Sequence, residues 1–309
     1  MGHIGTIIEK YRQALNMSRK ELSENICSEK HIYLIEKGQR SPSTNMLKLL
    51  GDRLGVDFFE FLPYLDCNEP LVIRDKLRNF YTYRINLDFD SLKKISDEAE
   101  MMHDFKNEPW SFEIRLNNLY YMVFVEKKYE EAAFKLKDLL EETENGGMSY
   151  IFFVNAYTLM TTCCLIIGDN IGAKKAALTA YDIFVKRHNI EEQEKLLTKM
   201  TVNLMGAYYV NGEYDEVIKK GNEFLQVKQR LDSYGKLNFM YFFMALAYYA
   251  KEMREEANEF LKKAIYFLMF DNRPTDVGYV AMDGRFRKML DDLGEGSELI
   301  QEFREKYKI

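Results

Sequence analysis

Residues 17–28 read Met17-Ser18-Arg19-Lys20-Glu21-Leu22-Ser23-Glu24-Asn25-Ile26-Cys27-Ser28, and Ile32-Tyr33-Leu34-Ile35-Glu36-Lys37-Gly38 follows shortly after. Ser18 has the side chain of an N-cap, and Glu21 three residues later completes a capping box. Leu22 and Ile26, four apart, fall on one helical face. After a turn around Cys27, Ser28 can cap a second helix that turns Ile32 and Ile35 inward and stops at Gly38. Leu15, Leu22, Ile26, Ile32, Ile35, Leu47, Leu50 and Leu54 are expected to form its core without metal or disulfide. The spacing predicts a helix-turn-helix, an arrangement that lays its second helix in the major groove of DNA.

Beyond residue 70 the chain reads as nearly continuous amphipathic helix, broken by short polar turns. Four turns look alike: Glu126-Lys127-Lys128-Tyr129, Gly168-Asp169-Asn170-Ile171, Asn211-Gly212-Glu213-Tyr214 and Ala250-Lys251-Glu252-Met253. A small or apolar residue follows each (Ala132, Ala173, Val217, Ala257) at spacings of 41, 44 and 40, and a fainter unit with Leu92 lies 40 earlier. Self-similarity at this period predicts stacked helical hairpins, because one hairpin cannot bury its apolar face alone. The expected fold is therefore all-α: a five-helix head followed by a right-handed α-solenoid of stretched, degenerate tetratricopeptide-like repeats. The expected domains are residues 1–66, a linker at 67–72 around Asn68-Glu69-Pro70, and a repeat domain at 73–309 ending in a charged capping hairpin at 276–309.

Residues 4–62 resemble the Xre/Cro class of DNA-binding domains, through Arg12, Leu22, Ile35-Glu36-Lys37-Gly38, Pro42-Ser43 and Leu54-Gly55-Val56. The run Leu22-Ser23-Glu24-Asn25-Ile26-Cys27, with its short turn, resembles PlcR-like regulators. The exit Leu54-Gly55-Val56-Asp57-Phe58-Phe59-Glu60 is similar to PrgX-like ones. These are Rgg-related, RRNPP-type, peptide-pheromone-responsive transcription regulators of Gram-positive bacteria. The resemblance implies that Arg12 and Glu36 form a scaffold ion pair. It further implies quorum sensing through a short linear peptide, operator DNA as partner, and helix-A asparagines that grip the peptide backbone.

Composition bounds the reading. With 47% hydrophobic residues the chain can build a sizeable core, and five prolines leave little room for long linkers. Residues 1–66 hold nine Lys/Arg and nine Asp/Glu, so the remainder carries the net charge of −6. A neutral head neutralises few phosphates, which predicts a homodimer on a two-part site. Cys27, Cys67, Cys163 and Cys164 form no C-x-x-C pair and are expected to be free thiols in a reducing cytoplasm. Residues 149–168 carry no charge and could span a bilayer by length, but their place in the period marks a buried repeat helix, and no membrane is expected. The four histidines (His3, His31, His103, His188) are scattered, with no H-E-x-x-H, phosphate-cradling loop or serine elbow. Neither an enzyme nor a cofactor or metal is expected.

Two surfaces carry the expected function. On the second helix, Ser28, Glu29, Lys30, Tyr33 and Lys37 face outward, with Lys30 placed to donate to guanine and Glu29 either to accept from cytosine or to orient Lys30. Arg19, Lys37 and Arg40 are expected phosphate clamps. Leu34 departs from the basic or polar residue common in the resembled class. On the inner, A-helix face of the repeats, the count back from the turns selects Asn117, Tyr121, Asn155, Thr158, Asn203, Tyr209, Phe242 and Tyr249. Asparagine is a poor helix-interior residue, and its amide can both donate to and accept from a peptide backbone. Of these, Asn203 falls where the resemblance places a backbone-gripping asparagine. The expected function is a peptide-switched, DNA-binding transcription regulator. Its alternatives are an adaptor that binds a protein partner and a phage- or plasmid-borne repressor of the same architecture.

Overall fold

The computed structural model describes residues 3–144, 147–186, 193–271 and 283–308. Its chain forms two compact units, Met1–Val125 and Glu126–Ile309.

The first unit opens with the head: α1 (Ile4–Ala14), α2 (Arg19–Ser23), α3 (Glu29–Glu36), α4 (Thr44–Leu54) and a 3-10 helix (Phe58–Tyr64). The expected capping box is present, with Glu21 N–H donating to Ser18 Oγ and Ser18 N–H to Glu21 Oε2. Ser28 and Ser43 cap α3 and α4 through their hydroxyl oxygens alone, which accept from the N–H groups of His31 and Met46. Helix α2 stops at Ser23, so Ile26 lies in the turn rather than on α2. Asn25 takes a left-handed conformation there (φ 57°). Arg53 donates to the carbonyls of Glu21, Leu22 and Glu24, supplying the partners that the end of a helix lacks. The core joins Leu22, Ile32, Ile35, Leu47, Leu50 and Leu54 to Ile7, Ile8, Phe58 and Phe61. Leu15 is not part of it: it caps the end of α1 and is 53% exposed.

Helices α5 (Pro70–Asn86), α6 (Phe89–Glu100) and α7 (Trp110–Phe124) complete this unit, packed pairwise. Residues 67–72, expected as a linker, are held down instead. Cys67 is buried and accepts from Trp110 Nε1 (3.1 Å), and Asn68 donates through backbone and side chain to the Asp104 carboxylate. Pro70 opens α5 directly, as its fixed φ and missing N–H allow at a first helical position. The Arg74 guanidinium then lies over the Phe61 ring (4.2 Å), reaches the Tyr11 hydroxyl (3.4 Å) and pairs with Glu60 (3.7 Å). The two compact units meet in sequence after α7.

The second unit contains α8 (Tyr129–Thr143), α9 (Tyr150–Ile167), α10 (Asn170–Val185), α11 (Glu194–Val210), α12 (Tyr214–Arg230), α13 (Leu237–Ala250), α14 (Arg254–Asp271), α15 (Gly284–Leu293) and α16 (Glu298–Tyr307). Helices α9 and α10, α11 and α12, and α13 and α14 pack as hairpin pairs, and α9, α11 and α13 pack on one another in series. The hairpins are further laced at their turns: Asn211 Nδ2 donates to Asn170 O (2.8 Å), Asn170 Nδ2 to Val210 O (3.2 Å), and Lys174 pairs with Glu213 (2.6 Å). Lys251 pairs with Asp215 in the same manner. Helix α9 is long and apolar enough to cross a membrane, but half of it is buried against its neighbours. Of the expected capping hairpin, residues 276–282 lie outside the described residues. The remainder forms α15 and α16, closed by Phe286 on Phe303.

The repeat reading can be checked at single positions. Leu92, Ala132, Ala173, Val217 and Ala257 are each the fourth residue of their helix, and none has exposed surface. Close approach also sets Gly5, where a Cβ would lie 1.8 Å from the carbonyl oxygen of Ile35. Gly5→Ala should therefore destabilise the head by about 1–3 kcal/mol through overpacking. A thermal melt identical to that of the parent chain would show that α1 and α3 do not meet there.

Candidate functional site

The exposed face of α3 rests on a buried carboxylate. Glu36, at the end of α3, takes Arg12 Nε and Nη2 on its two oxygens (2.6 and 3.2 Å) and Arg19 Nε on the second (2.6 Å). Arg12 Nη1 also donates to Met17 O (2.8 Å), so one guanidinium ties α1, the α1–α2 turn and α3 together. This is the ion pair that the Xre/Cro resemblance implies. Arg19 differs from its expectation as a plain phosphate clamp. The Glu36 hydrogen bond raises its pKa above the ordinary guanidinium value, its Nη2 bonds Glu9 (3.2 Å), and its guanidinium carbon lies 5.4 Å from the Tyr33 ring centre. Lys37 likewise reaches Glu9 (3.3 Å). Sequence reasoning passed over Glu9; its spacing of three from Arg12 on α1 was the available signal.

The remaining expected DNA contacts lie at the surface. Ser28, Glu29, Lys30, Tyr33, Lys37 and Arg40 are all exposed, and α3 displays Glu29, Lys30 and Tyr33 on one side while Ile32 and Ile35 are buried. Lys30 and Arg40 enter no ion pair among the described residues. The arrangement offers one cation and one aromatic ring to base edges, with further cations beside them for phosphates.

The expected peptide-binding residues divide sharply. In the first unit Asn117 has no exposed surface: its Oδ1 accepts from Arg84 Nε (2.7 Å) and its Nδ2 donates to Ser96 Oγ (2.8 Å). Arg84, itself buried, also pairs with Glu113 (2.6 Å). Asn117 is thus scaffold between α5, α6 and α7, and its place in the ligand set is withdrawn. Tyr121, one turn further along, is half-buried.

In the second unit the structure brings Thr158 and Asn203 together. Asn203 is half-buried, and its Nδ2 makes long bonds to Thr158 O (3.3 Å) and Thr162 Oγ1 (3.4 Å) across α9 and α11. Asn155 and Thr158 are buried and bond back to their own helix, to Ile151 O (2.8 Å) and Val154 O (2.6 Å). Phe242 has no exposed surface and packs on Phe243 and Phe286 (5.1 and 5.7 Å), so it fills the seam between α13 and α15 and is not a ligand pocket. Tyr209 lies under Arg285 (4.9 Å), and the Tyr249 hydroxyl donates to Asp292. All three aromatic residues are met by α15. Burial pushes the thiols of Cys163 and Cys164 up to about 12 and about 11, which leaves them unreactive near neutral pH. No cluster able to hold a metal occurs among the described residues.

Residues 8–61 match the family model described as helix-turn-helix. No curated protein sequence matches the chain. Among solved structures it is similar to PlcR of Bacillus thuringiensis in complex with the peptide PapR7 and DNA, at 20% identity, 88% coverage of this chain, 96% of that one and a TM-score of 0.70. The fold is shared. ComR of S. thermophilus, in complex with DNA and its signalling peptide, is similar at 18% identity over 94% of this chain and 99% of that one, with a TM-score of 0.56. A mutant of PrgX gives 14% identity, coverages of 98% and 99%, and a TM-score of 0.51. Likeness at these identities extends over head and repeats alike and concerns architecture, not individual contacts.

Asn117 gives the site its clearest test. Asn117→Ala strands one hydrogen bond each of Arg84 and Ser96 in a buried place and should cost about 1–3 kcal/mol. A variant that melts like the parent chain but loses binding of a ligand would return Asn117 to the ligand set.

Proposed function

We propose that the chain is a sequence-specific transcription regulator whose head binds operator DNA and whose repeats bind a short peptide that switches that binding. The observation carrying this reading is the exposed face of α3, with Lys30 and Tyr33 presented on a helix that Arg12 and Glu36 anchor from beneath. Two structures of similar fold, those of PlcR and ComR, are complexes with both DNA and a peptide. In functional terms residues 1–66 are the reading head, 67–72 its attachment, and 73–309 the sensing region; the working compartment is the cytoplasm.

On this reading Lys30 and Tyr33 read bases, while Lys37, Arg40 and Arg19 hold phosphates. The peptide grip narrows to Asn203 with Thr162 and the Thr158 carbonyl. The bonds of Asn203 are near the long limit for hydrogen bonds and can be exchanged for those of a peptide backbone at little cost. A peptide can act on the head only through different affinities for two arrangements of the protein, typically about 1–3 kcal/mol of coupling.

The decisive experiment titrates an operator selected from random duplexes, with and without peptides retained by the protein in its host. Lys30→Ala should weaken the selected site by about 1–3 kcal/mol and relax its sequence preference. Asn203→Ala should abolish the peptide response and leave peptide-free DNA binding nearly intact. An unchanged response in that variant would remove Asn203 from the site, and a parent chain deaf to every peptide would favour the adaptor reading.

The neutral head supports a further element of the proposal, a homodimer on a two-part site, since few phosphates are neutralised by one copy. Sedimentation at micromolar concentration should give twice the mass of 36.6 kDa. A monomer both alone and on the operator would contradict it.

A further inference from the structure

Glu9 sits where two of the head's phosphate-directed cations converge. A single oxygen, Oε1, lies 3.2 Å from Arg19 Nη2, 3.3 Å from Lys37 Nζ and 4.0 Å from Arg12 Nη2. The second carboxylate of the cluster, Glu36, is of another kind: its side chain has no exposed surface, and it bonds the Nε atoms of both arginines. Glu9 keeps 20% of its side-chain surface exposed, Arg19 31% and Lys37 43%. Its ion pairs therefore face water at the edge of the recognition surface, whereas those of Glu36 lie beneath it.

The two carboxylates have different fates when a duplex approaches. Glu36 is buried and bound on both oxygens, and breaking its pairs would leave charges uncompensated in the interior. The pairs of Glu9 are exposed, and such pairs contribute little and are easily exchanged. An oxygen bearing negative charge, approached by one guanidinium N–H and one ammonium group from the same side, is also what a phosphate of the DNA backbone presents. The charge count completes the picture: Arg12, Arg19 and Lys37 against Glu9 and Glu36 leave one net positive charge, and removing Glu9 leaves two.

Resting on the DNA-binding reading above, we propose that Glu9 is an internal stand-in for DNA phosphate, holding Arg19 and Lys37 until the duplex backbone displaces it, and thereby capping sequence-independent affinity. Glu9 is a positioning residue on this account. It contacts no base, and it acts through the two cations that do meet the backbone. Each head approaches DNA with two of its clamps, Arg19 and Lys37, already occupied, so their phosphate contacts are an exchange rather than a gain.

The test uses the full chain carrying Glu9→Gln, which keeps the side chain's length and an acceptor oxygen but removes the charge. Binding is measured to the selected operator and to a random duplex from about 0.05 to 0.3 M salt, with a thermal melt confirming the fold. Both duplexes should bind roughly 3–10-fold tighter at low salt, and the slope of log K against log salt should steepen by up to about one. A purely structural role for Glu9 would weaken binding to both duplexes or leave the slope unchanged, and either result overturns the proposal. Should Glu9→Gln not fold, Glu9→Asp withdraws the carboxylate by one methylene and should tighten random-duplex binding in the same direction by less; no tightening again overturns it. If the parent chain binds no duplex at all, the DNA-binding reading fails and this proposal with it. If the parent binds and only the Glu9 variants fail to respond, this proposal alone is lost.

Discussion

A helical hairpin that cannot bury its own apolar face must find a neighbour, and the closeness of that neighbour is set by one side chain near the start of each second helix. Leu92, Ala132, Ala173, Val217 and Ala257 occupy that place, all without exposed surface. The alanines let backbones approach, and α10 continues the theme with Ala176, Ala177 and Ala180 along its buried side. Elsewhere glycine does the same work: at Gly221 a Cβ would press within 2.6 Å of the Met244 sulfur. Interiors packed to this density are barely compressible and transmit strain. The turn lacing by Asn170, Asn211, Lys174 and Glu213 belongs to that framework.

The head solves a different problem, holding the eight-residue α3 still with a core of ten buried side chains and, among the described residues, no disulfide. Polar anchoring supplements that core. Glu36 organises Arg12 and Arg19, while Arg53 takes up the carbonyls that the five-residue α2 leaves open. A second buried polar knot, Arg84 with Glu113, Asn117 and Ser96, sits among α5, α6 and α7. A third joins Lys228 to Glu194, Ser233 and Gly235 O, where burial lowers the lysine pKa and the carboxylate opposes the shift. In each knot every charge has a partner, as burial requires.

Local signals were legible because they are local. Ser18 with Glu21, and Ser28, are written in neighbouring residues, and both caps form as read. The repeat period was legible because turn chemistry recurs at fixed offsets. Facing was not. Helix α9 is apolar nearly all round, burying Phe152, Val154, Ala156, Leu159, Cys163 and Cys164, so periodicity gives no unique inner side. Phe242 was assigned to a ligand pocket although it faces α15, and Asn117 although Arg84, 33 residues away, claims it. Long-range polar pairs such as these leave no mark in sequence spacing. Leu15 erred the other way, an apolar residue at a helix end read as core.

Arg74 has a consequence for how the protein can be divided. Its guanidinium covers the Phe61 ring, meets the Tyr11 hydroxyl and pairs with Glu60, while α5, to which it belongs, packs on the 3-10 helix that ends the head. Here the seam runs through a shared aromatic surface. A foreign head grafted before residue 67 would have to bring its own equivalents of Tyr11 and Phe61, or leave the Arg74 guanidinium without its ring and hydroxyl.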